Sequence, residues 1–426
     1  MDFVMPTFSN QEQDTAEFDG YVMGSRISRA SCAMLDAFAP HVMHVTVPDG
    51  GGLAAAAWAR RTGAGLLATW HSNFHDYVLH YPLSWLTRPV AIFWLRLYCA
   101  HMPLTLVPTA SLKAELAALG FKRMGVWGRG VDATLFAAAG DERGGAPAVR
   151  LEDGGALLRR SGSGSSEEGG GPTTGEGVAP AGLRASLHIP NDAIVFCWTS
   201  RIVREKRFDI FEAVVARLQA EGLDVHVLIA GVPSDESGAQ ILSRVRQRLA
   251  NVTYFGWVEQ SQLARVYACS DLLLFPSEVE TFGNVTLEGM ASGLPCVVDA
   301  RCSGHLVTHG VNGFTVERGD AATQTYYELS RKLCNGAEGA ALRRKLGRAG
   351  RAVAVARYDL RANSLEMVAH YQERAALATR LAPGGVPLSA KLLAALSELV
   401  LLGFFLGATA INKTLALAFF LLGLRR

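Results

Sequence analysis

Five short apolar runs restrict the second half of this chain more than any other feature. They are AIVFCWT (193–199), VHVLIAG (225–231), VTYFG (252–256), DLLLFPS (271–277) and PCVVD (295–299). Each is too short for an apolar helix and too continuously apolar for a strand with one wet face, so each reads as a strand buried on both sides. Helical patterns separate them, and strands alternating with helices fold as crossover units on a parallel sheet. The first half repeats the pattern more sparsely, in HVMHVTV (41–47), LLATW (66–70) and LTLVP (104–108), with helical stretches such as LAAAAWARR and SLKAELAALG between and after them.

Between the halves, residues 137–182 hold thirteen glycines and no aromatic side chain. Such a stretch buries too little apolar surface to offset its chain entropy and is expected to be a flexible linker. The expected organisation is therefore a first domain at 1–136, a linker at 137–182, a second domain at 183–377 and a tail at 378–426. Residues 392–424 of that tail are mostly apolar, with Glu398 and Lys413 the only charges, and the chain closes on Arg425 and Arg426. The segment 392–411 has the length of a membrane-spanning helix, so a membrane-associated tail is expected, either one span or a span plus a half-inserted helix. A helical hairpin buried in the protein is the alternative.

Composition excludes other classes. A net charge of +2 over 426 residues, without the aromatic and basic motif of an RNA-binding module, argues against nucleic acid as a partner. Seven cysteines form no C-x-x-C pair, which fits a reducing compartment. The first residues turn polar too soon for a secretory leader, so the body is expected to face cytosol or an organelle interior such as plastid stroma.

Chemistry concentrates at two strand ends. In SEVETFGNVTLEGMASGLP (277–295) a helix is expected to begin near Gly283 or Asn284, placing Glu280 in the loop and Glu288 just inside the helix. Ligands of open parallel sheets bind beyond the carboxyl ends of strands. Gly283 lets a ligand approach the backbone, and the N–H groups of Gly283, Asn284 and Val285 suit an anion such as a diphosphate. Glu288 suits a pair of ribose hydroxyls, and Glu280 the hydroxyls of a sugar. Two carboxylates repel a diphosphate unless cations accompany them. TSRIVREKRFD, after the first strand of this half, supplies Arg201 and Lys206.

With those residues in order, SRIVREK followed by ETFGNVTLEGMASGLP resembles the donor site of the retaining glycosyltransferases of the GT-B fold, family 4. The resemblance runs back through WHSNFHDYVLHYPLSWL, LTLVPTASLKAELAALGF and VWGRGVDATLF, and forward through GHLVTHGVNGFTVERGD. It implies an α/β protein of two Rossmann-like domains whose parallel sheets face across a cleft. It also implies that Arg201 and Lys206 hold the donor diphosphate, Glu288 the ribose and Glu280 the transferred sugar, with His71 of WHSNF beside that sugar. The first half is most similar to the branch containing sulfoquinovosyldiacylglycerol synthases and glycolipid mannosyltransferases. A hexose moved from a nucleotide-diphosphate sugar to a lipid or lipid-linked acceptor is therefore expected, without metal or other cofactor, and no D-x-D occurs in the chain. Members open with a strand and a glycine-rich loop. Nothing before Pro40 is similar to these, so the first domain is expected to be incomplete at its start.

Other motifs in the chain admit competing readings. His71, His75 and His80 raise a zinc site, but His71 directly follows a strand, which disfavours a shared helical face. VPDGGGLAAAAW (47–58) lacks the ending of a phosphate loop and is expected to be a tight turn into a helix. RPVAIFWLRLYCAH (88–101) offers either core aromatics or a membrane-facing surface. A transferase with a soluble acceptor, and a sugar-nucleotide-binding protein without activity, remain alternatives; a Rossmann dehydrogenase does not, for lack of G-x-G-x-x-G.

Overall fold

A computed structural model describes residues 16–18, 21–23, 27–46, 48–73, 84–137 and 180–378. The chain forms two compact units, Met1–Trp127 with Leu365–Arg426, and Gly128–Ser364. These boundaries differ from the expected domain limits at both ends. Residues 128–136 pack with the second unit, where Val131 forms a bridge with Asp359 and Phe136 joins the second core. The helix Leu360–Ala378 gives most of its length to the first unit, where Met367 packs with Leu67 and Leu106. Composition shifts mark where chain entropy changes, whereas unit boundaries follow burial. The expected linker lies almost wholly outside the described residues, and its last residues begin the helix Pro180–Ser186.

The first unit opens with a two-stranded antiparallel hairpin, β1 (Ala16–Phe18) and β2 (Tyr21–Met23). Its parallel sheet contains β3 (Val42–Val45), β4 (Gly65–Thr69), β5 (Thr105–Val107) and β6 (Met124–Val126), paired in that order. β6 was not expected, because its three residues are partly exposed and include a glycine. The triple glycine opens the helix Gly50–Thr62, whose first turn is capped by Asp49 accepting from the Gly52 N–H at 2.7 Å, a tight turn into a helix. The helix Ser84–Ala100 divides its aromatics. Trp94 and Tyr98 are buried in the core, while Trp85 and Phe93 are exposed.

In the second unit, β7 (Ile194–Trp198), β8 (Val225–Ala230), β9 (Val252–Gly256), β10 (Leu272–Phe275), β11 (Cys296–Asp299) and β12 (Phe314–Val316) form one parallel sheet. Its order is β12-β11-β10-β7-β8-β9, doubly wound, with the chain reversing direction across the sheet between β7 and β10. The sheet is buried on both faces except at its edge strand β9, whose five residues are all partly exposed, against the expectation for that run. β7, β10 and β11 have no exposed residue, and Trp198 packs against Phe208, Phe211 and Phe275 with ring centroids 4.1–5.7 Å apart. Burial of that kind produces the continuous apolar runs seen in the sequence.

Among the described residues no helix is long and apolar enough to cross a membrane. The expected span at 392–411 and the rest of the tail lie outside the described residues.

Candidate active site

The crevice beyond the carboxyl ends of adjacent strands at a reversal point is where doubly wound sheets take ligands. Here those ends are Trp198 of β7 and Phe275 of β10, and the loops leaving them, with the helix that follows the second, carry all but one of the expected site residues. The loop after β7 is set by its neighbours. Gly231, at the end of β8 with φ 147°, lies so close to it that an added Cβ would sit 2.0 Å from the Ser200 carbonyl oxygen. Gly238 stands in the same relation to the Ile202 carbonyl, at 2.1 Å. Only residues without a side chain allow this approach.

Lys206 closes a single 3-10 turn, Arg204–Lys206, and its ammonium donates to Glu280 Oε1 at 2.7 Å and to the Val279 carbonyl at 3.0 Å. Both side chains are mostly buried, 12% and 13% exposed. The sequence placed Lys206 on a phosphate and Glu280 on a sugar; the structure joins them directly. An ammonium has three donors. The third has no hydrogen-bond partner among the described residues. Arg201 makes no hydrogen bond to this pair; among the described residues its guanidinium donates to Ser234 Oγ at 3.4 Å.

Glu288 is held differently. It lies in the helix Asn284–Ala291, whose N-cap Gly283 has φ 99° and gives no side-chain cap, leaving the first-turn amides of Asn284 and Val285 without a capping side chain. A Cβ on Gly283 would also press on Ser303 Oγ at 3.1 Å. Glu288 keeps part of its surface exposed, yet protein surrounds its carboxyl, and that burial pushes the carboxyl up from 4.5 to about 7. Tyr267, fully buried, opposes the shift by donating to Glu288 Oε2 at 3.0 Å, and its hydroxyl lies 3.2 Å from the Val285 carbonyl. Thr199, the first residue past β7, meets the same phenol oxygen at 2.6 Å. A phenol has one proton, and a carboxylate is its strongest acceptor here, so Thr199 donates to Tyr267 and Tyr267 to Glu288.

Ion pairs fix the Glu280 loop from both sides. Arg207, in the left-handed region at φ 55°, bonds Asp209 and Glu278. Arg318 grips Asp299 with two parallel hydrogen bonds of 2.7 and 2.9 Å and reaches the Glu278 carbonyl at 2.7 Å. Tyr267, Thr199, Arg207, Asp299 and Arg318 were not expected. Tyr267 stands 21 residues before Glu288 in an ordinary amphipathic helix, and no local pattern in the sequence marks it.

His71 lies in the first unit, two residues past β4, exposed, with its Nε2 2.6 Å from Thr69 Oγ1. His75 and His80 lie outside the described residues. Among the described residues no three His, Cys, Asp or Glu side chains are grouped to hold a metal ion.

Comparison with known proteins agrees with this architecture. A family model described as glycosyltransferase family 4 matches residues 19–135, and one described as glycosyl transferases group 1 matches residues 193–334. The chain is 26% identical over 272 residues to a sulfoquinovosyl transferase of Arabidopsis thaliana, covering 63% of this chain and 44% of that protein. It is 26% identical over 264 residues to a GDP-mannose-dependent alpha-mannosyltransferase of Mycolicibacterium smegmatis, covering 62% and 57%. The chain thus spans about half the length of these curated relatives. Among solved structures, a sucrose-phosphate synthase from Thermosynechococcus elongatus superposes with a TM-score of 0.60 at 18% identity, over 80% of this chain and 75% of that one. The Anabaena protein HepE in complex with UDP and glucose gives 0.57 at 15% identity, over 80% and 81%. The chain belongs to the glycosyltransferases of family 4, built on the GT-B fold.

Proposed function

We propose that the protein is a retaining glycosyltransferase that moves a hexose from a nucleotide-diphosphate sugar to a lipid or lipid-linked acceptor, without a metal. The observation that carries the reading is the Lys206–Glu280 pair, together with Glu288 held by Tyr267, on the segments that follow the adjacent strands β7 and β10 at the reversal point of the second sheet. A sugar nucleotide has a ribose diol, a diphosphate and a hexose, and these loops offer a group for each. Glu288 accepts from the diol. The third N–H of Lys206, the Arg201 guanidinium and the amides of Gly283, Asn284 and Val285 suit the diphosphate. Glu280, itself oriented by Lys206, accepts from the sugar. His71 is proposed, from the resemblance, to meet the transferred sugar.

In the proposed reaction the bond from the anomeric carbon to the diphosphate oxygen breaks and a bond to the acceptor oxygen forms on the same face. The acceptor's proton leaves with the diphosphate. Negative charge grows on the departing oxygens, and prepositioned cations and amides stabilise it more in the transition state than in the ground state. The names of the relatives support a hexose donor, and a neighbour solved with UDP and glucose supports the donor class. The apolar sequence at 392–424 supports membrane association, with the two units on the cytosolic or organelle-interior side.

The test is transfer of labelled sugar by the full chain presented with lipid vesicles. Lys206→Ala is expected to lower kcat/KM on the order of a hundredfold or more, and the label is expected in the organic phase on extraction. Near-normal turnover in Lys206→Ala would rule the site out. Label confined to the aqueous phase would replace the lipid acceptor by a soluble one, and donor binding with neither transfer nor hydrolysis would remove the activity.

A further inference from the structure

The helix Ser84–Ala100 turns one face into the core of the first unit and the other to solvent. Trp94, Leu95, Tyr98 and Cys99 are buried in that core. Trp85, Pro89, Phe93, Arg96 and Ala100 are exposed and stand three or four residues apart, so they line a single stripe of the helix. Trp85 is 75% exposed and Phe93 63%, and Val90, one turn before Phe93, is exposed as well. The outer face of a helix that covers a globular core is ordinarily polar. Here it is aromatic and apolar over its first half.

Positive charge gathers at the other end of the same stripe. The Arg96 guanidinium lies over the turn at Gly120, where an added Cβ would come within 3.0 Å of Arg96 Cζ. Lys122 and Arg123, both exposed, follow that turn, and Arg123 donates to the Ala100 carbonyl at 3.2 Å. Arg60 donates to the next carbonyl, that of His101, so two cations cover the negative end of the helix. Residues 84–127 hold five basic side chains, Arg88, Arg96, Lys113, Lys122 and Arg123, against one acid, Glu115, in a chain whose net charge is only +2. The helix itself contains no acid.

Such a face asks two things of its partner. The partner must be apolar where Trp85 and Phe93 reach it and negative where Arg96 and Lys122 do. An anionic bilayer meets both demands, because its apolar interior begins just beneath its charged headgroups. A second copy of this chain does not. Three residues advance a helix by only about 4.5 Å, so two copies paired about Phe93 would set their Arg96 side chains against each other. The apolar residues 392–424 favour lipid too, since they follow the helix Leu360–Ala378, whose Met367 packs with Leu67 and Leu106 of this unit.

We propose that this stripe is a membrane-docking surface. The helix Ser84–Ala100 lies in the plane of an anionic bilayer, with Trp85 and Phe93 among the acyl chains and Arg96, Lys122 and Arg123 at the headgroup phosphates. The use of that surface in transfer rests on the lipid-acceptor reading; the docking rests on the stripe and its charges.

Tryptophan fluorescence of the full chain, quenched by vesicles with brominated acyl chains, reads the surface directly. Residues 378–426 hold no tryptophan, so the tail contributes nothing to the signal. Quenching is expected with mixed phosphatidylglycerol and phosphatidylcholine vesicles. It is expected to disappear in Trp85→Phe and to persist in Trp257→Phe, which removes the other strongly exposed tryptophan. Phosphatidylcholine alone is expected to quench several-fold less. Arg96→Gln combined with Lys122→Gln is expected to do the same to the mixed vesicles, each basic side chain at an anionic surface being worth roughly fivefold in the docking equilibrium. No Trp85 quenching by the mixed vesicles, or equal quenching by phosphatidylcholine alone, would overturn the proposal. So would a lipid-free dimer that Phe93→Ser splits, which would give the face to a second copy. Trp85 quenching with labelled sugar confined to the aqueous phase would keep the docking surface and remove the lipid acceptor, and transfer to lipid without that quenching would do the reverse.

Discussion

The two units share an architecture, parallel strands with crossover helices, and locate chemistry in different ways. In the second, strand order decides. β7 and β10 are neighbours in the sheet but far apart in sequence, and the loops that leave them bear Arg201, Lys206 and Glu280, with Glu288 in the helix that follows. In the first, the strands pair in chain order, β3-β4-β5-β6, with no reversal among the described residues. Its candidate residue, His71, is assigned by resemblance, and its docking face is the outer side of the helix Ser84–Ala100. A reversal therefore fixes a site by backbone topology, whereas a sheet laid down in sequence order needs side chains to define one.

If backbone fixes the second site, a substitution that pushes the backbone there should be the most damaging. Gly231→Ala places a Cβ 2.0 Å from the Ser200 carbonyl oxygen at φ 147°, a conformation closed to side chains. The expected loss is about 4 kcal/mol of stability in the second unit, read by thermal unfolding together with amide exchange in β7 and β8. A loss below about 1 kcal/mol would show that the loop can move, and with it the argument from topology.

The next effect follows from Glu288. Burial raises its carboxyl from 4.5 to about 7, so the fold favours the protonated form. The corresponding stability is fully present below pH 4.5 and is lost as pH rises through about 7. Glu288→Gln stays neutral, so between those limits it is expected to gain on the wild type by up to about 3 kcal/mol, at about 1.4 kcal/mol per unit. Parallel unfolding curves of the two proteins across that range would contradict the buried carboxyl. Donor binding has the opposite sign. A ribose diol donates to a carboxylate, so affinity is expected to fall on acidification below about pH 7.

In the first unit the matching test is milder. Gly65 has ordinary strand geometry, and an added Cβ meets the Arg374 carbonyl oxygen at 2.7 Å, closer than packing allows but relieved by a small lift of one helix. Gly65→Ala is expected to cost about 2 kcal/mol and to lengthen the 2.8 Å contact between Tyr371 Oη and His44 Nδ1. A cost equal to that of Gly231→Ala would erase the contrast between the units.

Sequence patterns revealed much of this and missed the rest for physical reasons. β7, β8, β10 and β11 are buried almost throughout and read as unbroken apolar runs, and β9 reads as a strand from the same kind of run although all its residues are partly exposed. β12 and β6 are three-residue strands, too short for a period to show. The start of the Glu288 helix was legible because Gly283 is a cap with a positive φ. The Lys206–Glu280 contact spans 74 residues and Glu288–Tyr267 joins two helices, so neither leaves a mark on local spacing. The Tyr371–His44 contact, spanning 327 residues, is illegible for the same reason.

Tyr267 gives the smallest expected effect and the finest test of how the second site is held. Its hydroxyl donates to the charged form of Glu288, which partly offsets the effect of burial. Tyr267→Phe removes that donor while keeping the ring edge-on to Phe136, with centroids 5.8 Å apart. The carboxyl is then expected to rise further, and the pH midpoint of donor affinity to move alkaline by roughly 0.5 to 1 unit, the net value of one ordinary hydrogen bond. Thr199 also loses its acceptor, so some stability is expected to go as well, but lost stability alone cannot move a titration midpoint. An acid shift would mean that the phenol accepts from a protonated Glu288 instead. An unmoved midpoint would mean that its proton goes to the Val285 carbonyl, 3.2 Å away, and that the Glu288 carboxyl is held by burial alone.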